Sequence, residues 1–179
     1  LLGTAFSLVH LLDHLAERRL RFVLPAGSRV METGGYKGRS RFVPKKELHA
    51  LIRQRLGVPE WRILCEYGMC ELSSQAYDAT PGSTGRGPRR GERRFRFPPW
   101  ARCQVISPET GAEVADGETG LLRVFDLANV FSVMALQTED LVVRSEDGFQ
   151  WVGRAQGAES RGCSLTAQTP VSTTNFALR

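Results

Sequence analysis

Glu66-Tyr67-Gly68-Met69-Cys70-Glu71-Leu72 is the stretch on which the fold turns. It follows directly on a short β-type run, Arg62 to Cys65, and a glycine at the end of a strand lets the backbone turn sharply beside a ligand. An aromatic ring next to such a turn can stack on a purine, and a carboxylate just beyond it can hold Mg²⁺ at a triphosphate. Taken alone, the same residues also describe a strand-end tyrosine packed in a core. What surrounds them therefore matters.

On the N-terminal side, Thr4 is a candidate N-cap, and Phe6, Val9, Leu12 and Leu15 recur on one face, widened by Leu8 and Leu11. This spacing predicts a helix from Ala5 to Arg18, with Arg18, Arg19 and Arg21 complementing its C-terminal dipole. Phe22-Val23-Leu24, ended by Pro25, reads as a short strand, and Ser28 to Glu32 as a second one. That second run leads into Thr33-Gly34-Gly35-Tyr36-Lys37-Gly38-Arg39-Ser40. Pro44 suits the first position of a helix, whose stripe is Leu48, Leu51, Ile52 and Leu56 and whose stop is Gly57, with Pro59 beyond.

On the C-terminal side, a loop rich in Gly, Pro and Arg runs from about Thr80 to Pro99. The texture then changes to short β-type runs at Ala101–Ile106, Gly120–Phe125, Leu141–Arg144 and Phe149–Val152. Turn signals such as Asp116-Gly117 and Asp147-Gly148 separate them. The expectation is an α/β piece followed by a small antiparallel β piece. In that second piece, Gln137-Thr138-Glu139-Asp140-Leu141 places Asp140 just before a strand, where its carboxylate can accept both hydroxyl hydrogens of a ribose. Gly153-Arg154 then sets a cation after the last strand, ahead of Arg161-Gly162-Cys163-Ser164-Leu165.

In this order the motifs resemble the acyl-adenylate-forming superfamily of acyl-CoA synthetases, luciferases and peptide-synthetase adenylation domains. Thr33 to Lys37, Gln137 to Leu141 and Arg161 to Cys163 most resemble the LuxE-type acyl-protein synthetases. The resemblance covers about Phe22 to Leu165. It implies the C-terminal part of an adenylate-forming large domain, α/β, with a small antiparallel β subdomain. Residues 1–94 would be the α/β part, 95–153 the β subdomain, and 154–179 the hinge and tail. The implied cofactors are ATP and Mg²⁺. By resemblance, Tyr67 and Gly68 lie against the adenine, Glu71 sits at the Mg²⁺ and phosphates, and Asp140 binds the ribose. Arg154 marks the hinge beside the nucleotide, and Gly34 and Gly35 let the backbone approach the adenine or acyl group. Cys163 would carry the acyl group as a thioester, with Arg161 favouring its thiolate. The implied reaction activates a fatty or other carboxylic acid and passes it to a protein thiol, the partner being an acyl-acceptor or reductase protein.

The chain departs from the pattern of the superfamily it resembles at four points. Cys70 stands where threonine is usual, and no lysine follows Lys46 to match the late catalytic lysine of acyl-CoA synthetases. The Ser/Thr/Gly-rich phosphate loop is expected before Leu1, and the tail after Arg154 is expected to be too short for the family's mobile domain, so this fragment alone should be inactive.

Composition narrows the rivals. Hydrophobic residues at 41% with charged residues at 24% mark a globular chain, and no apolar run approaches the ~18 residues that span a bilayer. Cys65, Cys70, Cys103 and Cys163 form no C-x-x-C pair, which fits a reducing cytoplasm. The net charge of +5 draws on Arg86 to Arg96, where six arginines face only Glu92. A basic nucleic-acid-binding module is therefore one alternative, against a solvated loop, and nucleic acid is not the expected partner. A phenylacetate-CoA-ligase-like enzyme is the other. His10 and His14 share a helix face but flank Asp13 rather than glutamate and lack a third ligand, so a zinc site is not expected there.

Overall fold

A computed structural model of the chain describes residues 1–36, 40–78 and 93–155. The elements follow in the order β1 (Leu2–Thr4), α1 (Ala5–Glu17), β2 (Val30–Thr33), α2 (Lys45–Leu56), β3 (Ile63–Tyr67), β4 (Ala76–Tyr77), β5 (Ala101–Ile106), β6 (Thr119–Asp126), β7 (Ala135–Ser145) and β8 (Gly148–Arg154). They make two four-stranded sheets, β1-β2-β3-β4 and β5-β6-β7-β8. The first is parallel from β1 to β3, with Val30 opposite Ile63 and Glu32 opposite Cys65, and β4 then turns antiparallel. The second is antiparallel throughout.

Local chemistry accounts for the helices. The Thr4 hydroxyl accepts the Ser7 amide at 3.3 Å, satisfying one of the donors left over at the start of α1. Leu8, Val9, Leu12 and Leu15 lie on the buried face of that helix, as the spacing predicts, together with Ala5, while Phe6 and Leu11 of the expected stripe are only half-buried. Helix α2 stops because Gly57 takes up a left-handed φ of 68°, and its amide returns to the Arg53 carbonyl. Leu48, Ile52 and Leu56 of α2 meet α1 and Val30 and Ile63 of the sheet in one core cluster. Each fully buried aliphatic side chain there contributes about 1.5–3 kcal/mol.

Phe22 to Leu24 is not a strand, contrary to the apolar pattern. Its amides do have partners, but these are the carbonyls at the end of α2, with Phe22 donating to Arg55 at 2.8 Å and Leu24 to Leu56 at 3.1 Å. The segment covers a helix end, so its apolar residues serve a non-periodic contact. Strand β1 is the converse case, a three-residue strand without a β-type sequence pattern that pairs with β2.

A second core cluster lies between the sheets, built on Cys65, Ala76, Phe95, Val105, Leu122, Val124, Val142 and Phe149. Residues 95 and 96 stitch the sheets together. Arg96 exchanges amide bonds with Tyr77 of β4, and Phe95 does so with Phe149 of β8. The approach at Phe95 leaves no room for a side chain on Gly148, whose Cβ would fall 2.2 Å from the Phe95 carbonyl oxygen. No helix among the described residues is long and apolar enough to cross a membrane.

Candidate active site

Parallel strands bring their carboxyl ends to one edge, and open α/β sheets take ligands at that edge. The loop that follows β2, carrying Gly34 and Gly35, and the loop that follows β3, carrying Gly68 to Glu71, therefore share it. Gly34 adopts a φ of 59°, and among the described residues no atom beyond the chain neighbours lies within 4 Å of where a Cβ on Gly34 or Gly35 would stand. The backbone there is open to a ligand. Gly68 differs. Its φ is not positive, and a Cβ on it would press on the Gln75 and Glu66 side chains at 3.1 and 3.2 Å, so its smallness serves packing against those neighbours.

Tyr67 ends β3 with its ring edge-on to Phe149 at 5.2 Å and to Phe97 at 6.4 Å between centroids. Its hydroxyl reaches across to the second sheet and donates to Asp140 Oδ2 at 2.5 Å. Burial pushes the Tyr67 phenol up, and the bond to Asp140 pushes it further, so it remains a proton donor. Asp140 is 6% exposed, and its other oxygen accepts from Arg154 Nη1 at 3.3 Å. Arg154 also pairs with Glu139 at 2.9 Å. The arrangement follows from register, because Asp140 and Arg154 face each other across β7 and β8. Thr138 fixes the approach, its hydroxyl donating to the Leu122 carbonyl at 2.9 Å and accepting the Asp140 amide at 3.1 Å.

The structure thus brings Tyr67, Asp140 and Arg154 together, and it corrects two of their settings. Asp140 lies inside β7, which begins at Ala135, and Arg154 is the last residue of β8 rather than a residue beyond it. A bulge between Leu141 and Val142 breaks the pairing just past Asp140, which hid the continuity of the strand from its sequence pattern. Glu71 is exposed on the loop after β3, two residues before a serine pair held to the second sheet. Lys37, Arg161 and Cys163 lie outside the described residues.

Two groups of residues went unread in the sequence. Asp126, fully buried, accepts the amides of Ser73 and Ser74 at 3.0 and 2.8 Å and the Ser74 hydroxyl at 2.8 Å. Asn129 donates to the Glu71 carbonyl at 2.8 Å. A turn signal was present, since Asp126 also accepts the Ala128 amide two residues on, as an aspartate opening a turn does. The second group is a charge network beneath the sheet. Asp78 accepts the Cys65 amide at 2.7 Å and pairs with Lys45 at 3.3 Å and Arg93 at 2.9 Å. Close by, Glu32 accepts from His49 at 3.1 Å and from the Cys65 thiol at 3.3 Å. Burial pushes that thiol up and so keeps it protonated.

The ligand-type atoms of Glu32, His49 and Cys65 lie within 4.8 Å of one another. The Lys45 ammonium interacts with the same thiol, and the two carboxylates Glu32 and Asp78 already balance the cations Lys45 and Arg93. The cluster is satisfied by protein groups alone and reads as a hydrogen-bonded pin between β2, α2 and β3. His10 and His14 are exposed, and Asp13 between them pairs instead with Arg41 at 2.8 Å. Of the arginine-rich stretch, residues 86 to 92 lie outside the description; Arg93 is committed to Asp78 and Arg96 to Asp147.

The chain shares its fold with one part of solved adenylate-forming enzymes. It superposes with a TM-score of 0.60 and 15% identity on the McyG A-PCP structure complexed with phenylalanyl-adenylate, over 87% of this chain and 30% of that one. The long-chain-fatty-acid-CoA ligase of Archaeoglobus fulgidus matches with a TM-score of 0.58 at 17% identity, over 86% and 33% of the two chains. ATP-bound MatB from Rhodopseudomonas palustris matches with a TM-score of 0.56 at 19% identity, over 86% and 30%. The chain spans about a third of the length of these structures. No protein-family model and no curated protein sequence matches it.

Proposed function

We propose that the protein activates a fatty or related carboxylic acid with ATP as an acyl-adenylate and passes the acyl group to a protein thiol. The observation that carries the reading is the contact of Tyr67, Asp140 and Arg154 at the carboxyl edge of a sheet whose fold adenylate-forming enzymes share. Asp140, an acceptor-only group, suits a pair of ribose hydroxyls, and Tyr67 and Gly68 border the adenine side. The open backbone at Gly34 and Gly35 lies along the same edge. Glu71, an exposed carboxylate, suits a hydrated Mg²⁺, which when bound would neutralise phosphate charge.

In the first step the substrate carboxylate attacks the α-phosphorus of ATP, forming the acyl–phosphate bond and releasing pyrophosphate. The chain's own part is to position and neutralise, with Arg154 beside the nucleotide. In the second, a thiolate attacks the acyl carbon, and AMP leaves as the thioester forms. Cys163 is the proposed thiol.

One experiment tests both steps in the intact protein. With ATP and labelled fatty acid, wild type should exchange pyrophosphate into ATP and become labelled through a bond that neutral hydroxylamine cleaves. Glu71→Gln should cut exchange by about tenfold or more, since a carboxylate that contacts the metal loses its charge. Cys163→Ser should abolish the label and leave exchange intact. Wild type without acid-dependent exchange would end the reading. Label persisting on Cys163→Ser would move the acyl group elsewhere, and rapid acyl-CoA release would favour the CoA-ligase alternative.

A further inference from the structure

The connection between β6 and β7 grips the loop that carries Glu71. Asp126, at the end of β6, uses both oxygens twice. Oδ2 accepts the Ser73 and Ser74 amides, and Oδ1 accepts the Ser74 hydroxyl at 2.8 Å and its own turn's Ala128 amide at 3.1 Å. A carboxylate has roughly four lone-pair sites, so this one is filled. Asn129 then spends its whole amide on the same junction. Its two N–H bonds go to the carbonyls of Glu71 at 2.8 Å and Val133 at 2.9 Å, and its oxygen accepts the Ser73 hydroxyl at 3.0 Å. Trp100 adds a bond from Nε1 to the Ser74 hydroxyl at 3.0 Å. Ser74, Asp126 and Asn129 are all buried, at 5%, 0% and 8% exposure.

We infer that Asp126 and Asn129 are positioning residues that set the backbone direction of Glu71. The inference rests on the proposed role of Glu71. The loop itself offers that residue little support, its described internal backbone bond being Leu72 to the Met69 carbonyl at 3.1 Å. The side chain of Glu71 is exposed, so its aim follows from its peptide plane, and Asn129 holds the carbonyl of that plane. A side chain misplaced by about 1 Å can cost on the order of a hundredfold in rate. The β6–β7 connection therefore acts on the phosphate side of the site without touching substrate.

The test is a double-mutant cycle in the intact protein, read by acid-dependent pyrophosphate exchange and by deuterium uptake in the peptide spanning residues 69–76. Asn129→Ala should lower kcat for exchange by about tenfold or more while KM for the acid changes little. In a Glu71→Gln background the same change should cost less than about threefold, because an interaction that works through Glu71 has nothing left to lose. Deuterium uptake in 69–76 should rise in Asn129→Ala, and Asn129→Asp, which turns an acceptor toward two carbonyls, should not rescue either readout. Full, multiplicative losses in the double variant would overturn the inference, as would wild-type exchange in Asn129→Ala. A wild type that shows no exchange would instead sink the proposed function. In that case unchanged uptake in Asn129→Ala would show that the grip itself is absent, and increased uptake would keep the grip and remove its catalytic purpose.

Discussion

Asp78→Asn should lower the stability of the protein by about 3 kcal/mol, the low end of what breaking a buried ion pair costs. Asp78 is 1% exposed, and its carboxylate joins the Cys65 amide, Lys45 and Arg93. The amide substitution keeps the size but leaves Arg93, whose side chain is 19% exposed, without its counter-charge. Lys45 is 43% exposed and partly solvated, so its share of the loss is smaller. Burial alone would raise the Asp78 carboxyl, but Lys45 and Arg93 outweigh it and hold it below the usual aspartate value. Glu32 is held low in the same way by His49 and Lys45, against burial.

Both carboxyls therefore bind protons less readily folded than unfolded. Their contribution is complete above the unfolded values of about 4 and is lost as pH falls through the lower folded values. Lys45 has the opposite sign. Burial opposes its charge, yet Cys65, Asp78 and Glu32 hold it above the ordinary lysine value, so its contribution is present in neutral solution and lost only as pH rises past that range. Urea unfolding of the intact protein at neutral pH and near pH 3 is the measurement. Wild type should lose stability between the two, and Asp78→Asn should lose less, having already given up that share. A loss under about 1 kcal/mol at neutral pH would show that the network is solvated.

How much of this was legible in the sequence depended on the range of the contact. Thr4, Gly57 and the α1 stripe act within a few residues, and the helices they predict are there, α1 ending at Glu17 and α2 running Lys45–Leu56. In the second sheet β6 alternates between buried and less buried positions and a two-residue turn joins β7 to β8, so β5 runs Ala101–Ile106 as expected and β6 and β8 extend a residue or two further, whereas β7 begins at Ala135, six residues before the expected Leu141. Asp78, by contrast, has partners at Lys45 and Arg93, and Asp126 works on Ser73 and Ser74. Polar residues that act over such distances carry no periodicity, and nothing in their immediate neighbours announces them. The local motifs of Tyr67 and Asp140 marked them as candidate site residues, but not their bond to each other, which only the packing of two sheets creates.

That bond shapes the expected behaviour of Asp140→Ala, which should weaken ATP binding by about tenfold or more. Hydrogen bonds to a charged group are worth about 1.5–3 kcal/mol each, and losing one such bond to the ribose is enough for a factor of ten. The substitution also strips Tyr67 and Arg154 of a shared acceptor, so a bare loss of affinity would not prove contact with the nucleotide. Two comparisons separate the causes. Tyr67→Phe keeps the ring against Phe149 and removes only the hydroxyl, freeing Asp140 Oδ2, so ATP should bind as well as to wild type or tighter. ATP lacking both ribose hydroxyls should bind wild type about tenfold or more weakly, yet bind Asp140→Ala no worse than ATP itself does. Titration of the intact proteins with both nucleotides gives the four affinities of a cycle in which only the contact between Asp140 and the ribose fails to cancel. If wild type does not distinguish the two nucleotides, Asp140 has no part in holding the ribose, and its place in the fold is to receive Tyr67 and Arg154 where the two sheets meet.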